Sequence, residues 1–257
     1  MVQGLFVQYQ VIRALVLRET RTRFGQHRLG YVWALVEPIT WMATFTAMYV
    51  LLGRTTPSGV PVIPFLATGI IPYLLFRETV SRAVVAIDAN KGLLFYPDIR
   101  PLDLVAARVL LEIATNLVVF ILIMGGLALW HGALLVNSWL TVVLGLLLAS
   151  GLGASLGLVF CGLSTFTKSA ERIIGPLLRP LFWTSAIFYS SDALPPAARD
   201  VLLYNPVLHA VELVRDGWFP TYHATHVNAW YPSAWIVALA FFGLTLERVA
   251  RRRIQLT

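Results

Sequence analysis

Charged residues are scarce in this chain. Asp, Glu, Lys and Arg make up 13% of its 257 residues, whereas soluble domains carry about 25%. Apolar residues reach 58%, which excludes intrinsic disorder, because disordered chains combine low hydrophobicity with high charge. The shortage of charge and the excess of apolar side chains together predict a protein whose main solvent is a lipid bilayer.

Cysteine is almost absent as well. The single cysteine, Cys161, excludes an internal disulfide framework and any zinc or iron–sulfur site built from several cysteines. His223 and His226 are three residues apart and could contribute to a metal site, but no third ligand stands near them in the sequence. We therefore expect no metal in this chain.

The chain also lacks a phosphate-binding loop. The stretch from Gly162 to Ser169 comes nearest to the motif, but Thr167 stands where the second glycine is required, and an apolar helix rather than a strand precedes it. No nucleophile and base occur on adjacent motifs. We expect no catalytic residues and no cofactor in this chain.

Long uncharged stretches mark the candidate membrane helices, since a span needs about 20 mainly apolar residues. They are residues 29–52, residues 60–76, two spans within 113–167 separated by a turn at 131–138, residues 173–191, and residues 229–246. Prolines interrupt the second and fifth stretches. The pattern predicts an all-α integral membrane protein with six transmembrane helices, forming one domain over residues 1–257.

Basic residues are distributed very unevenly between the two sides of these spans. Of the 20 Lys and Arg residues, only Arg54, Arg199 and Arg215 fall on the side away from the termini, which leaves 17 on the other side. Positive loops stay in the cytoplasm, so both termini are predicted to be cytoplasmic. The net charge of +7 is thus explained by topology, and no nucleic-acid partner is expected.

The first 28 residues are predicted to form an amphipathic helix at the membrane interface, with Arg18 and Arg21 turned away from its apolar face. The residues of that face recur at helical spacing: Leu5, Tyr9, Ile12 and Val16. An ordinary solvated helix end is the alternative.

A charged loop over residues 77–103 connects spans two and three. We expect its first half to be helical and to stop at Gly92, since Pro97 and Pro101 enforce extended chain. An apolar cluster, 93–96, lies between charges in this loop. Such a cluster either docks another protein or packs against the protein's own helix ends, and the residues alone leave both open.

The connection over residues 192–228 is too apolar for a solvated loop and too rich in proline for a span. Short re-entrant or interfacial helices fit it best. Irregular backbone at membrane depth is tolerated only where protein buries it or where it lines a water-filled cavity. We therefore expect this hairpin to lie over or beside a pathway, with a simple cap on the bundle as the alternative.

Two charges fall inside predicted spans, where they are costly and often functional. Glu37 precedes Pro38 in the first span and either serves a pathway or pairs with Arg28 or another basic neighbour. Arg179 lies in the fifth span and either reaches the cytoplasmic interface with its long side chain or meets anionic groups in an internal pathway.

Six helices rarely enclose a wide pore, so a large solute would need a homodimer with the path at its interface. Small residues in the fourth span permit close helix contacts, either within the bundle or between two copies. They are Gly145, Gly151, Gly153, Ala154, Ser155 and Gly157.

Several short motifs, in order along almost the whole chain, resemble the membrane subunits of type-2 ABC exporters. Within that class the chain is most similar to permeases for capsular polysaccharide in Gram-negative bacteria, which are relatives of the O-antigen exporters. The motifs are Arg28-Leu-Gly-Tyr-Val-Trp33 followed by Glu37-Pro38, Leu93-Leu-Phe-Tyr-Pro97, Arg100-Pro-Leu-Asp103, Ile187-Phe-Tyr-Ser190, Asn205-Pro206 and Glu212-Leu-Val-Arg-Asp216.

The resemblance implies an inner-membrane permease that works as a homodimer with two copies of a separate ATPase subunit, which would hold the ATP and Mg. A periplasmic adaptor and an outer-membrane channel would complete the machine, and the cargo would be an acidic glycan on a lipid anchor. The coupling segment that docks on the ATPase would consist of Ala89, Asn90, Lys91, Gly92, Leu93, Leu94, Phe95 and Tyr96.

The resemblance also assigns the hairpin at 192–228 to a periplasmic gate, with Asn205, Pro206, Glu212, Arg215 and Asp216 as its characteristic residues. For the translocation pathway we expect arginines that attract a polyanion, aromatic side chains that stack on sugar faces, and the intramembrane carboxylate. These residues are Arg28, Tyr31, Trp33, Glu37, Arg179, Trp183 and Tyr189.

Other functions remain open at this stage. The same architecture could export O-antigen, teichoic acid, lipid or drug. A carrier or channel that works without ATP would transport as this chain alone. A membrane enzyme for lipid-linked sugars would need a carboxylate or histidine cluster at one interface, and none is visible in the sequence.

Overall fold

The computed structural model describes residues 2–24, 30–96, 99–131, 136–167 and 169–254. These residues contain nine α-helices, three short 3₁₀ helices (Pro57–Gly59, Asp88–Phe95 and Ser191–Ala193) and no strand. The α-helices are α1 (Val2–Phe24), α2 (Gly30–Leu51), α3 (Val62–Val84), α4 (Pro101–His131), α5 (Trp139–Ser164), α6 (Ser169–Thr184), α7 (Pro196–Leu202), α8 (Pro206–Trp218) and α9 (Trp230–Ile254). The predicted all-α class is confirmed.

Five of the described helices are long and apolar enough to cross a membrane. They are Val32–Leu51 of α2, Val62–Val84 of α3, Pro101–Trp130 of α4, Trp139–Ser164 of α5 and Trp230–Val249 of α9. Each overlaps a predicted span, although α3 continues eight residues beyond Phe76 and α4 begins twelve residues before Ile113. The turn between α4 and α5 falls close to the predicted residues 131–138.

The fifth predicted span, over residues 173–191, is wrong in its extent. Helix α6 has 16 residues and ends at Thr184, which makes it about 24 Å long against a hydrocarbon core of about 30 Å. Pro176 and Pro180 lie inside it, and each lacks a backbone N–H to donate. Ala186, just beyond the helix, has a positive φ of 55°. The arrangement of six spans stays a prediction.

Helix α3 occupies the centre of the bundle and packs against α2, α4, α5 and α8. The small residues of α5 allow these close contacts. A Cβ at Gly153 would lie 2.7 Å from the Phe76 carbonyl oxygen of α3, and one at Gly145 would lie 2.6 Å from Val214 of α8. In the described protomer these glycines pack within the bundle, which was one of the two alternatives.

The bundle has two ends. The terminal end holds α1, the Asp88–Phe95 helix and the start of α4, with the ends of α5 and α9 nearby. The hairpin end holds the start of α5, to which Ser138 and Gly217 connect α8 by a backbone hydrogen bond of 2.8 Å.

The loop predicted over residues 77–103 is shorter in the structure. Helix α3 continues to Val84 and α4 already begins at Pro101. The charges in the last turns of α3 are compensated, because Arg77 contacts Glu37 of α2 and lies 2.8 Å from Glu78. The predicted stop at Gly92 is also wrong, since the helix ends eight residues earlier and the 3₁₀ helix runs through Gly92.

Helix α1 packs through a face about a quarter of a turn away from the predicted one. Leu15 is buried against Leu104 and Ala107 of α4, with Val11 beside it. Tyr9 of the predicted face is 63% exposed. Placement of α1 at a membrane interface stays a prediction, with the Tyr9 face free to meet the lipid.

Candidate functional site

The segment of residues 88–96 combines a buried anchor with an exposed aromatic tip. Asn90 is 5% exposed, whereas Phe95 is 89% and Tyr96 62% exposed. Leu93 and Leu94 are half-buried against α1 and α4. The leucines therefore pack on the protein's own helices, which was one of the two alternatives, and the aromatic pair is exposed. Docking of another protein stays a prediction.

Asn90 joins three parts of the terminal end. Its side-chain oxygen accepts a hydrogen bond of 2.8 Å from Arg18 of α1, and its amide nitrogen donates to Glu19 at 3.0 Å and to the Ala86 carbonyl at 3.1 Å. Glu19 also accepts a bond of 3.2 Å from Arg108 of α4. Arg18, which was predicted to turn away from the apolar face of the helix, thus contacts the rest of the protein.

At the hairpin end, the fully buried guanidinium of Arg215 supplies hydrogen-bond donors to the stretch of chain that follows the C-terminal end of α6. It donates hydrogen bonds to the carbonyls of Ala186 at 2.9 Å, Tyr189 at 3.2 Å and Ile187 at 3.3 Å. It also lies over the ring of Phe65, 3.9 Å from the centroid. Backbone that leaves a helix inside the protein needs such partners, since water cannot supply them there.

Glu212, one turn before Arg215, is equally buried and holds the next stretch of chain. Its carboxylate accepts hydrogen bonds from the Ser191 N–H at 3.0 Å, the Ser191 hydroxyl at 2.8 Å and the Tyr222 hydroxyl at 2.9 Å. Tyr222 lies 2.8 Å from Ser190 as well. The pair therefore ties α8 to the whole stretch between α6 and α7.

The other predicted gate residues also have structural partners. Asn205 accepts a bond of 2.9 Å from the Val207 N–H at the start of α8, where Pro206 is the first helical residue. It also donates to Ser185 at 3.0 Å. Asp216 accepts from the Ala224 N–H at 3.1 Å, away from the Arg215 cluster.

The predicted pathway residues do not form one cluster in the described protomer. Trp33 on α2 is 70% exposed and Trp183 on α6 is 58% exposed, and Arg179 is exposed on α6 without an ion pair to any described residue. Glu37 pairs with Arg77, which was one of its alternatives, and Tyr189 is half-buried beside Arg215. Arg28 and the side chain of Tyr31 lie outside the described residues.

Sequence reasoning missed an aromatic cluster that joins α2 to α6. The ring centroids of Phe45 and Phe188 are 4.3 Å apart, and those of Trp41 and Phe182 are 5.1 Å apart. Trp183 belongs to the same cluster, 5.3 Å from Phe188. Tyr49, also on α2, donates a hydrogen bond to the Phe188 carbonyl. Only aromatic residues at helical spacing in both segments could have indicated this contact.

His223 and His226 are both exposed on the hairpin. Within the described part of the chain, no three His, Cys, Asp or Glu side chains form a group that could hold a metal. His226 pairs with Asp192, which also contacts Thr225. Partial burial alone would raise the pKa of Asp192, but hydrogen bonds from His226 and Thr225 outweigh it and hold this pKa below its ordinary value.

These features define a multi-pass membrane protein with an exposed aromatic segment at one end and a buried charged hairpin at the other. A family model described as "ABC-2 type transporter" matches residues 10–219, and the chain belongs to this family. It is therefore a membrane subunit of a transporter and not an enzyme itself, and its family implies an ABC ATPase partner.

Individual relatives match over nearly their full lengths. The chain is 34% identical to the polysialic acid transport protein KpsM of Escherichia coli over 95% of both chains. It is 30% identical to the capsule polysaccharide export inner-membrane protein CtrC of Neisseria meningitidis serogroup B, over 95% of this chain and 92% of the relative. The O-antigen export system permease protein RfbA of Klebsiella pneumoniae is 23% identical over 81% of this chain. These matches and the apolar helices indicate a multi-pass inner-membrane protein.

Proposed function

We propose that this chain is the permease of an ATP-driven exporter that moves lipid-linked acidic capsular polysaccharide across the bacterial inner membrane. It would act as a homodimer with two copies of a separate ATPase subunit, which holds the ATP and Mg. One observation carries the coupling part of this proposal. Phe95 and Tyr96 are 89% and 62% exposed at the tip of a segment whose Asn90 is tied to α1.

An exposed aromatic pair beside an anchored polar residue is typical of a protein–protein contact, because aromatic side chains contribute large apolar area to the centre of interfaces. We assign the coupling segment to Ala89–Tyr96, with Phe95 and Tyr96 as the groups that enter the ATPase. The excess of basic residues at this end favours a cytoplasmic location, where ATP is available.

The cargo assignment rests on relatives and on charge. The relatives named for polysialic acid and capsule polysaccharide are 34% and 30% identical, against 23% for the O-antigen permease. Arg179 is a cation exposed on a helix near the membrane, as a pathway for a polyanion needs. Trp33 and Trp183 are exposed on α2 and α6 and are proposed to stack on sugar faces.

In the proposed cycle, ATP binding closes the ATPase subunits and displaces the coupling segment. The displacement reaches α2 and α6, which the aromatic cluster joins, and opens a groove between the two permease copies. The hairpin at residues 192–228 acts as the periplasmic gate, and the polymer passes to a periplasmic adaptor and an outer-membrane channel.

Co-purification with the ATPase encoded beside this chain tests the proposal. We expect a tag on the ATPase to recover two copies of each subunit, and the double variant Phe95→Asp, Tyr96→Asp to lose the permease from that complex. Tyr204→Asp is the matched control, since Tyr204 is a 75% exposed aromatic residue in the hairpin, away from the proposed contact. A wild-type chain that purifies without the ATPase would contradict the coupling proposal.

A further inference from the structure

We propose that Asn90 is a positioning residue that locks helix α1 to the coupling segment, so that both move as one body when the ATPase moves. This inference rests on the proposed coupling to an ATPase and identifies the contact through which the motion leaves the coupling segment. It concerns the residues behind the docking surface, not the surface itself.

The hydrogen bonds of Asn90 form a bridge between opposite charges. Arg18 donates to the amide oxygen at 2.8 Å, and the amide nitrogen donates to Glu19 at 3.0 Å. Only a neutral group that accepts and donates at once can satisfy both neighbours. An aspartate would repel Glu19, and a leucine would fill the space without either bond.

The backbone of the segment presents Asn90 to α1. Asn90 has φ of −126° and ψ of 21°, outside the helical region, and divides the 88–95 stretch into two short turns. Its amide nitrogen also bonds the Ala86 carbonyl at 3.1 Å, which fixes the side chain relative to the end of α3. The residue is 5% exposed, so water does not compete for these bonds.

Helix α1 is also anchored on α4 at two points. Glu19 accepts from Arg108 at 3.2 Å, and Gln8 donates to Asp103. Apolar contacts around Leu15 lie between them. Apolar surfaces permit sliding, whereas directional hydrogen bonds transmit a displacement. Helix α1 also contacts α2, so a displacement of α1 reaches the first span.

The test uses the whole complex with its ATPase in proteoliposomes or capsule-forming cells, and measures the polymer exported per ATP hydrolysed. We expect export per ATP to fall about tenfold in Asn90→Leu, with subunit association and ATP hydrolysis measured on the same complex. Asn116→Leu is the control, because the Asn116 side chain bonds only the Glu112 carbonyl one turn earlier in α4. It should export normally.

A further pair of variants tests whether Asn90 acts through its hydrogen bond to Glu19 or only through packing. Asn90→Asp should fail like Asn90→Leu, and the double variant Asn90→Asp, Glu19→Gln should recover at least half of the export. In that double variant the glutamine amide donates to the new carboxylate, so the bond between residues 19 and 90 is rebuilt with its donor and acceptor exchanged and the net charge unchanged, whereas the bond to the Ala86 carbonyl stays absent. Rescue by an exchanged bond is not expected from packing alone.

Three results would overturn the inference. Normal export per ATP in Asn90→Leu shows that the bridge does not transmit motion. Loss of the ATPase from Asn90→Leu, or no rescue in the double variant, assigns Asn90 to docking or folding instead. A wild-type chain that binds no ATPase contradicts the proposed function itself. ATPase binding by the wild-type chain is therefore measured before any variant is compared.

Discussion

Arg215 and Glu212 lie one helical turn apart on α8, with 3.6 Å between the guanidinium and the carboxylate and neither side chain exposed. Their hydrogen bonds diverge. Arg215 holds the carbonyls of residues 186, 187 and 189, and Glu212 holds Ser191 and Tyr222. One ion pair thus fixes both halves of the chain that follows α6.

Replacing Arg215 with methionine should destabilise the protein strongly. The variant leaves Glu212 as an uncompensated buried charge and several carbonyls without donors, at a cost of about 3–5 kcal/mol. Thermal unfolding of the detergent-purified protein measures this. Arg248→Met removes an exposed cation from α9 and should change stability by less than about 0.5 kcal/mol. Equal stability of the two variants would show that the buried pair is dispensable.

Gly69→Ala should displace the same guanidinium from the α3 side. A Cβ at Gly69 would lie 2.8 Å from a terminal nitrogen of Arg215 and 3.1 Å from the Ile187 backbone, so we expect a loss of about 1–3 kcal/mol. The matched control is Gly125→Ala on α4, where no atom lies within 4 Å of the added carbon. That variant should be neutral or slightly stabilising. A tolerated alanine at residue 69 would contradict the tight α3–α8 contact.

Labelling from outside the cell tests the predicted orientation. The single cysteine, Cys161, is buried, so introduced cysteines can be read against a low background. Asp200→Cys, at a hairpin side chain that is 72% exposed, should react with a membrane-impermeant maleimide in intact spheroplasts. Lys91→Cys, at a side chain that is 65% exposed, should react only after the membrane is opened. The reverse pattern would place the termini outside.

Arg179→Gln should slow export of the acidic polymer by several-fold while ATPase association stays normal, because a cation along the path attracts a polyanion. Surface capsule per cell and the amount of polymer retained inside measure the effect. Arg248→Gln has the same loss of charge on α9 and serves as control. If both variants export equally, Arg179 faces the lipid interface instead of the cargo.

The membrane helices could be predicted from the sequence because a long apolar run is a local property. Helices α2 and α5 lie where uncharged residues indicated spans, within a few residues at each end, whereas α9 continues eight residues beyond Leu246 and α4 begins twelve residues before Ile113. The error at α3 has a physical cause, since Arg77 finds Glu37 and Glu78 as partners. A helix can continue through charges that are paired, and pairing is not visible in a linear sequence.

The hairpin network could be predicted only in part. Arg215 was counted among the loop cations, yet it is fully buried, because its partners are carbonyls almost 30 residues away and Phe65 in α3. The packed face of α1 was missed for a similar reason. Gln8, Arg18 and Glu19 contact the protein through polar bonds, and a search for apolar periodicity ignores such residues.

The central position of α3 has a consequence for how the protein is made. Protein buries 78% of its apolar window, against 22% for α4 and 11% for α9. A helix that is mostly enclosed by protein can hold prolines, a glycine and several charges, but for the same reason it gains little when it leaves the translocon alone. We therefore expect α3 to enter the bilayer together with α2, whose Glu37 pairs with Arg77. Protein encloses α3 more fully only after α5 has been inserted and packs against it.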